Sequence, residues 1–176
     1  LSSHELNQPG AYRDITDTTA VAQFRLKGSA NTFFLAWTTT PWTLPSNTAL
    51  AVGRQITYVK VRTFNRYTQE PIAVILAKDR FSTYFSECNP ELEADAVKPG
   101  NKPIPYIEIE EEIKGADLEG MEYEQLMPYV QPDGPAFRVL LGDFVSTEDG
   151  TGIVHIAPTF GSDDFKVARQ YGIVPL

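Results

Sequence analysis

Eleven residues, WTTTPWTLPSN from Trp37 to Asn47, bring four threonine hydroxyls, a serine, an asparagine amide and two tryptophans together around two prolines. Hydroxyls and backbone N–H groups in a proline-bounded turn can hold a polar ligand and a water in fixed geometry, because proline removes loop freedom. Thr38, Thr39, Thr40 and Thr43 are the candidate groups for such a site. The alternative is a buried strand end whose threonines cap neighbouring backbone groups, and composition weighs the two readings equally.

A second stretch, HIAPTFGSDDF from His155 to Phe165, places a histidine at the end of an apolar strand and two carboxylates in the first turn of a following helix. Carboxylates there stay ionised under the helix dipole, so Asp164 could receive a cation such as an ammonium group. Asp163 is the better N-cap, and capping alone is the competing reading. For a lone histidine on a strand, the ordinary alternative is a satisfied core residue. Metal binding is not expected, since His155, Asp163 and Asp164 are too few ligands and His4 is remote. A Ser-His-Asp hydrolase is disfavoured as well: there is no G-x-S-x-G, and Ser46 lies in the proline-bounded turn.

The elements that must position these groups are short strands. AVAQFRLKG alternates, with Ala22, Phe24 and Leu26 on one face, as a half-buried strand does. TFFLAWT is a continuous apolar run, read as a strand buried on both faces, and Pro41 and Pro45 end its ladder. TALAV, TYVKVRTF and PIAVILA follow as strands, then a short helix in KDRFSTYFSE. The proline-rich NPELEADAVKPGNKPIPY, covering 89–106, reads as a surface excursion with little regular structure. In IEIEEEIK, an acidic metal site competes with the solvated face of an edge strand, and the edge strand is favoured. AFRVLLGDFV and GIVHIA are strands flanking the turn TEDGTG, where Gly150 and Gly152 permit positive φ. SDDFKVARQYG reads as a helix stopped by Gly172. The expected fold is mainly β, a small closed β-barrel with a few peripheral helices.

The chain has 176 residues, 42% of them hydrophobic, enough for one domain without disulfides. Cys88 is the single cysteine, pointing to a reducing, cytoplasmic setting. No long apolar run or signal-like start is present, so no membrane association is expected. A net charge of −8 argues against gripping long stretches of DNA or RNA, though not against holding one nucleotide end in a shaped pocket. The start at Leu1 is read as that of an excised domain.

Both chemical stretches resemble one family. WTTTPWTLPSN and GTGIVHIAPTFGSDDF are similar to the editing domain (connective peptide 1) inserted into isoleucyl-tRNA synthetases. KGADLEGMEYEQLMPY resembles a third motif shared by the isoleucyl, valyl and leucyl editing domains. The Pro-Trp-Thr-Leu-Pro continuation favours the isoleucyl branch, since the others usually carry Arg-Pro-Glu or Arg-Pro-Asp there. The resemblance runs from about Tyr12 to the end, and implies one editing domain over 1–176, with 1–19 and 173–176 as linkers to a parent catalytic domain.

What the resemblance implies is hydrolysis of the ester in valyl-tRNA(Ile), in a pocket that admits valine and excludes isoleucine. Asp164 would receive the α-ammonium, and His155 would wall the side-chain pocket. Thr38, Thr39 and Thr40, with Trp42 and Thr43 beside them, would line the pocket and the terminal adenosine, and Asn47 would help position the ester or water. The implied partners are the valine-bearing 3′ end of tRNA(Ile) and the parent synthetase domain. No cofactor is implied: ATP and Mg belong to the synthetic domain, whose H-I-G-H and K-M-S-K-S signatures are absent from this sequence. Many bacterial relatives carry a second histidine in GHG where this chain has Phe160 before Gly161, so no role for that histidine carries over. The competing reading from another class is a module that binds the aminoacylated 3′ end without hydrolysing it.

Overall fold

The computed structural model describes residues 20–97, 104–125, 136–148 and 150–157. Its centre is β2 (Thr32–Thr38), the continuous apolar run, where only Phe33 and Trp37 are less than fully buried. Along one edge it pairs antiparallel with β1 (Ala20–Arg25), from Ala20 opposite Thr38 to Arg25 opposite Phe33. The expected alternation holds in β1: Phe24 is buried, while Gln23 and Arg25 are exposed.

The other edge of β2 is divided. Thr32, Phe33 and Phe34 pair in parallel with β5 (Pro71–Ala77), whereas Trp37 pairs in parallel with Val154 of β10 (Ile153–Ile156). The sheet therefore forks. One arm continues from β5 to β4 (Thr57–Phe64) and β8 (Glu108–Lys114); the other runs from β10 to β3 (Ala49–Val52) and β9 (Arg138–Leu141).

This fork corrects the expectation of a closed barrel. The fold is mainly β, but the sheet is a curled half-barrel. A strand has only two edges to offer, and β2 divides its second edge between two arms, which among the described residues leaves β8 as a free border. The second arm curls back towards β1 through the short segment Met121–Glu124 rather than through a full ladder. There Lys27 N–H donates to the Glu122 carbonyl (2.9 Å), Glu124 N–H to that of Arg25 (2.8 Å) and Tyr123 N–H to that of Phe137 (2.9 Å).

The acidic run is an edge strand, as the sequence suggests. In β8, Glu108 meets Arg62 at 3.1 Å, Glu112 meets Lys78 at 3.0 Å and Glu110 meets Lys60 at 3.8 Å. Pairs this exposed contribute little to stability, but charge along an edge deters pairing with another sheet. Among the described residues no group of three His, Cys, Asp or Glu could hold a metal ion, and no helix is long and apolar enough to cross a membrane.

Because side chains alternate across a strand, β2 feeds two cores. Phe34 and Ala36 pack with Phe24, Leu50, Val52, Tyr58 and Leu118 inside the curl. Leu35 faces the other way, with Val59, Val61, Val74 and Phe85. That outer core is covered by a part of the 89–106 excursion that is not irregular after all. Ile104–Tyr106 forms β7, parallel to β6 (Phe85–Cys88). Tyr106 packs edge-on against Phe81 (4.9 Å between centroids) and Phe85 (6.0 Å), and this burial of aromatic surface orders a Pro-flanked segment that reads locally as loop.

The turn before β10 is tethered from several sides. Gly150 and Gly152 have φ of +69° and +78°, as expected of that turn. Arg80 Nε–H donates to the Gly150 carbonyl (2.8 Å), and the Tyr58 hydroxyl accepts from Gly53 N–H (3.0 Å) while donating to the Gly152 carbonyl (2.5 Å). The strand that carries His155 therefore starts from a fixed point.

Candidate functional site

Thr38 closes β2, and the chain then turns through a 3-10 helix over Pro41–Ser46. Pro41 is tolerated there because the first helical N–H would lack a partner in any case. Thr40 occupies the N-cap position without a side-chain capping bond. Its carbonyl instead receives both the Thr43 N–H (2.9 Å) and the Thr43 hydroxyl (2.7 Å). The Thr38 hydroxyl accepts the Thr40 N–H at 3.0 Å. The capping reading thus describes Thr38 and Thr43, both buried. Thr39 is exposed, and Thr40 and Trp42 are half-buried.

Antiparallel pairing of β10 with β3 sets His155 opposite Leu50. The imidazole, 5% exposed, then lies between two residues of the opening motif. Nε2 is 2.8 Å from Thr43 Oγ1, and Nδ1 is 2.8 Å from Asn47 Nδ2. Asn47 is itself held: Nδ2 donates to the Ala49 carbonyl (2.9 Å) and Oδ1 accepts from the Tyr123 hydroxyl (2.5 Å). Tyr123, fully buried, belongs to the KGADLEGMEYEQLMPY motif but carried no site role in the sequence reading. The signal for it was the motif itself.

The proton positions in this chain follow from its two ends. The Ala49 carbonyl can only accept, so the asparagine nitrogen must face it, and that nitrogen also faces His155 Nδ1. Nδ1 therefore accepts, and the imidazole proton sits on Nε2, donating to Thr43 Oγ1. The Thr43 hydroxyl hands its own proton to the Thr40 carbonyl. The direction of donation is continuous from Tyr123 to Asn47, His155, Thr43 and Thr40.

Burial pushes the His155 pKa down to about 4, so the ring is neutral at pH 7. It can serve as a shaped, uncharged wall, but not as a ready acid. The unfolded chain would bind a proton at the ordinary 6.5 and the folded chain only at about 4. The stability tied to the neutral ring is whole above the higher value and is lost as the pH falls towards the lower one, by about 3 kcal/mol in all. The chain contains two histidines, so an NMR titration of histidine-labelled protein should show His155 titrating near 4 beside the terminal His4. A midpoint near 6.5 would mean that the ring is open to water.

The structure brings Thr38, Thr40, Thr43, Asn47 and His155 into one bonded cluster and adds Tyr123 to it. Asp163, Asp164, Phe160 and Gly161 lie outside the described residues, as do the segments 1–19 and 173–176.

No model of a protein family matches the chain. Among individual proteins, the isoleucine–tRNA ligase of Cytophaga hutchinsonii is 65% identical over 177 residues, covering 98% of this chain and 16% of that protein. The isoleucine–tRNA ligase of Bacteroides fragilis is 58% identical over 183 residues, covering 100% of this chain and again 16% of the relative. The chain thus spans about a sixth of the length of these relatives. Among solved structures, the editing domain of P. knowlesi cytosolic leucyl-tRNA synthetase superposes with a TM-score of 0.61 at 15% identity, over 88% of this chain and 63% of that one. The crystal structure of GlLeuRS-CP1 gives 0.57 at 19% identity, over 88% and 65%. By sequence, then, the chain belongs with the isoleucine–tRNA ligases as one segment of them, and by fold with the editing domains of the leucyl enzymes.

Proposed function

We propose that this chain is an editing domain that hydrolyses the ester of valine misattached to tRNA(Ile). The observation that carries the proposal is the pairing of two likenesses: near-complete coverage at 65% identity by an isoleucine–tRNA ligase, and the fold of leucyl editing domains. Such a site answers a physical limit. One methylene is worth only about 1–3 kcal/mol in an apolar pocket, and the isoleucine/valine pair is the standard instance, so a second, smaller pocket must remove what the first admits.

In this reading His155 is the sieve. A neutral ring bonded through both nitrogens has no freedom to swing aside, so the extra methylene of isoleucine meets a fixed surface. Asp164 receives the α-ammonium of the substrate. Thr39 and Thr40, with Trp42, line the ester and the terminal adenosine, while Thr38, Thr43 and Asn47 hold the turn and the ring. A water attacks the ester carbonyl, the bond to the ribose oxygen breaks, that oxygen takes up a proton lost by the water and is restored as the ribose hydroxyl, and valine leaves as the free amino acid. An ester beside a protonated amine is already activated, so the protein's contribution is placement of water and substrate. The acidic balance of the chain assigns most of the tRNA grip to a parent synthetase in the cytoplasm, which also supplies any use of ATP and Mg.

The test is deacylation of tRNA(Ile) charged with valine or with isoleucine, by the domain at high concentration and by the domain supplemented with parent enzyme lacking its own insertion. Faster loss of valine is expected, and Asp164→Ala should slow it by about 10- to 100-fold, the worth of one charge-assisted hydrogen bond. Tight binding without loss of either ester, in both settings, would replace the esterase with a non-hydrolytic module for the 3′ end.

A further inference from the structure

Tyr123 is remote in sequence from every group discussed as touching substrate, yet its hydroxyl begins the hydrogen-bonded chain that terminates at Thr40. It is fully buried, in edge-to-face contact with Phe24 (5.3 Å) and Phe137 (6.0 Å), so its ring cannot turn without breaking the inner core. The backbone is fixed too, through Tyr123 N–H on the Phe137 carbonyl. A phenol locked in this way holds its oxygen against Asn47 Oδ1, which accepts its proton.

An asparagine amide has two faces that differ only in which end donates. The Ala49 carbonyl selects the nitrogen on one side, and the Tyr123 hydroxyl selects the oxygen on the other. Reversing the amide would set Oδ1 against a carbonyl and would turn the faces presented to His155 Nδ1 from donor to acceptor. The imidazole would then have to carry its proton on Nδ1, and Nε2 would accept from the Thr43 hydroxyl, leaving the Thr40 carbonyl with the Thr43 N–H alone.

We infer that Tyr123 is a positioning residue of the candidate site: by orienting the Asn47 amide it holds His155 as the single tautomer protonated at Nε2, and so fixes the turn from Thr40 to Thr43. The catalytic side of this assignment rests on the editing reading above; the tautomer side does not. Because the hydroxyl acts two residues away from the substrate, its loss should alter turnover more than substrate binding.

The test uses histidine-15N-labelled protein, in which His155 need be distinguished only from His4. Wild-type protein should show a protonated-type Nε2 and an unprotonated-type Nδ1. In Tyr123→Phe the Oδ1 of Asn47 loses its donor inside the core, leaving only the Ala49 carbonyl to select the amide's orientation; in the reversed amide Oδ1 faces His155 Nδ1, which then carries the ring proton and donates to it. The two 15N shifts should therefore move towards each other as a second tautomer is populated, and kcat for deacylation should fall about three- to tenfold with KM nearly unchanged. A folded Tyr123→Phe with wild-type shifts overturns the assignment, as does a wild-type ring protonated at Nδ1. If Tyr123→Phe does not fold, Asn47→Asp tests the same coupling, since a carboxylate can only accept: the imidazole proton should appear on Nδ1, and a ring still protonated at Nε2 alone overturns it. An absence of deacylation by wild-type protein would sink the editing reading, and the shifts would still decide the tautomer.

Discussion

His155→Ala is expected to lower the stability of the domain by about 3–5 kcal/mol in denaturant unfolding. Two losses add. The imidazole is 5% exposed, so its removal leaves a cavity at the end of β10. It also strands one N–H of Asn47, whose partner is His155 Nδ1, in a place water does not reach. Thr43 suffers less, because its hydroxyl keeps the Thr40 carbonyl as acceptor at 2.7 Å. The milder Thr43→Val removes the acceptor for Nε2–H and the hydroxyl's bond to the Thr40 carbonyl, which keeps the Thr43 N–H, and should cost about 1–3 kcal/mol. A loss below about 1 kcal/mol for His155→Ala would contradict a packed, doubly bonded ring. Where the variant still folds, the proposed sieve makes a second demand: with the wall gone, the isoleucyl ester should be hydrolysed faster, narrowing the preference for valine.

Gly115→Ala should be at least as damaging, for a different reason. Gly115 opens the short helix Gly115–Leu118 and is pressed against the turn after β3, its N–H donating to the Ile56 carbonyl at 2.9 Å. A Cβ at this position would overlap the Gly53 carbonyl oxygen, lie 2.8 Å from the Gly53 carbonyl carbon and sit 3.2 Å from the Tyr58 ring. Backbone cannot swing away as a flexible side chain can. Gly53 N–H is also bonded to the Tyr58 hydroxyl, so a shift there would disturb the tether of β10. The expected cost is about 3 kcal/mol or more. Gly120→Ala provides the contrast. Its φ is +84° but a Cβ there meets nothing within 4 Å, so only backbone strain of about 1 kcal/mol opposes it. Equal melting temperatures for the two variants would refute the close-approach account of Gly115.

These variants also explain the third motif. In KGADLEGMEY, Gly115 permits the close approach, Leu118 fills the inner core, Gly120 makes the left-handed turn and Tyr123 reaches Asn47. As a string of letters the motif marks a family. As a structure it is the brace that carries β8 across to β9 and supplies one buried hydroxyl on the way.

What the sequence by itself determined is local. Strand periods, proline stops and the glycine turn at 150–152 were legible because each depends on a few adjacent residues and on which side chains prefer water. The acidic edge strand was legible for the same reason. The tertiary structure alone decided the fork at β2, since a continuous apolar run looks the same whether one strand or two lie along its edge. It also decided the pairing of Ile104–Tyr106 with Phe85–Cys88, because the aromatic surface that orders that segment comes from elsewhere in the chain. The site divides in the same way. Its residue types stood in the sequence, but the bonds that give them states join positions 112, 108 and 76 residues apart. The protonation of His155 is set by which end of an amide faces a carbonyl. That is a property of three-dimensional placement, and no spacing along the chain encodes it.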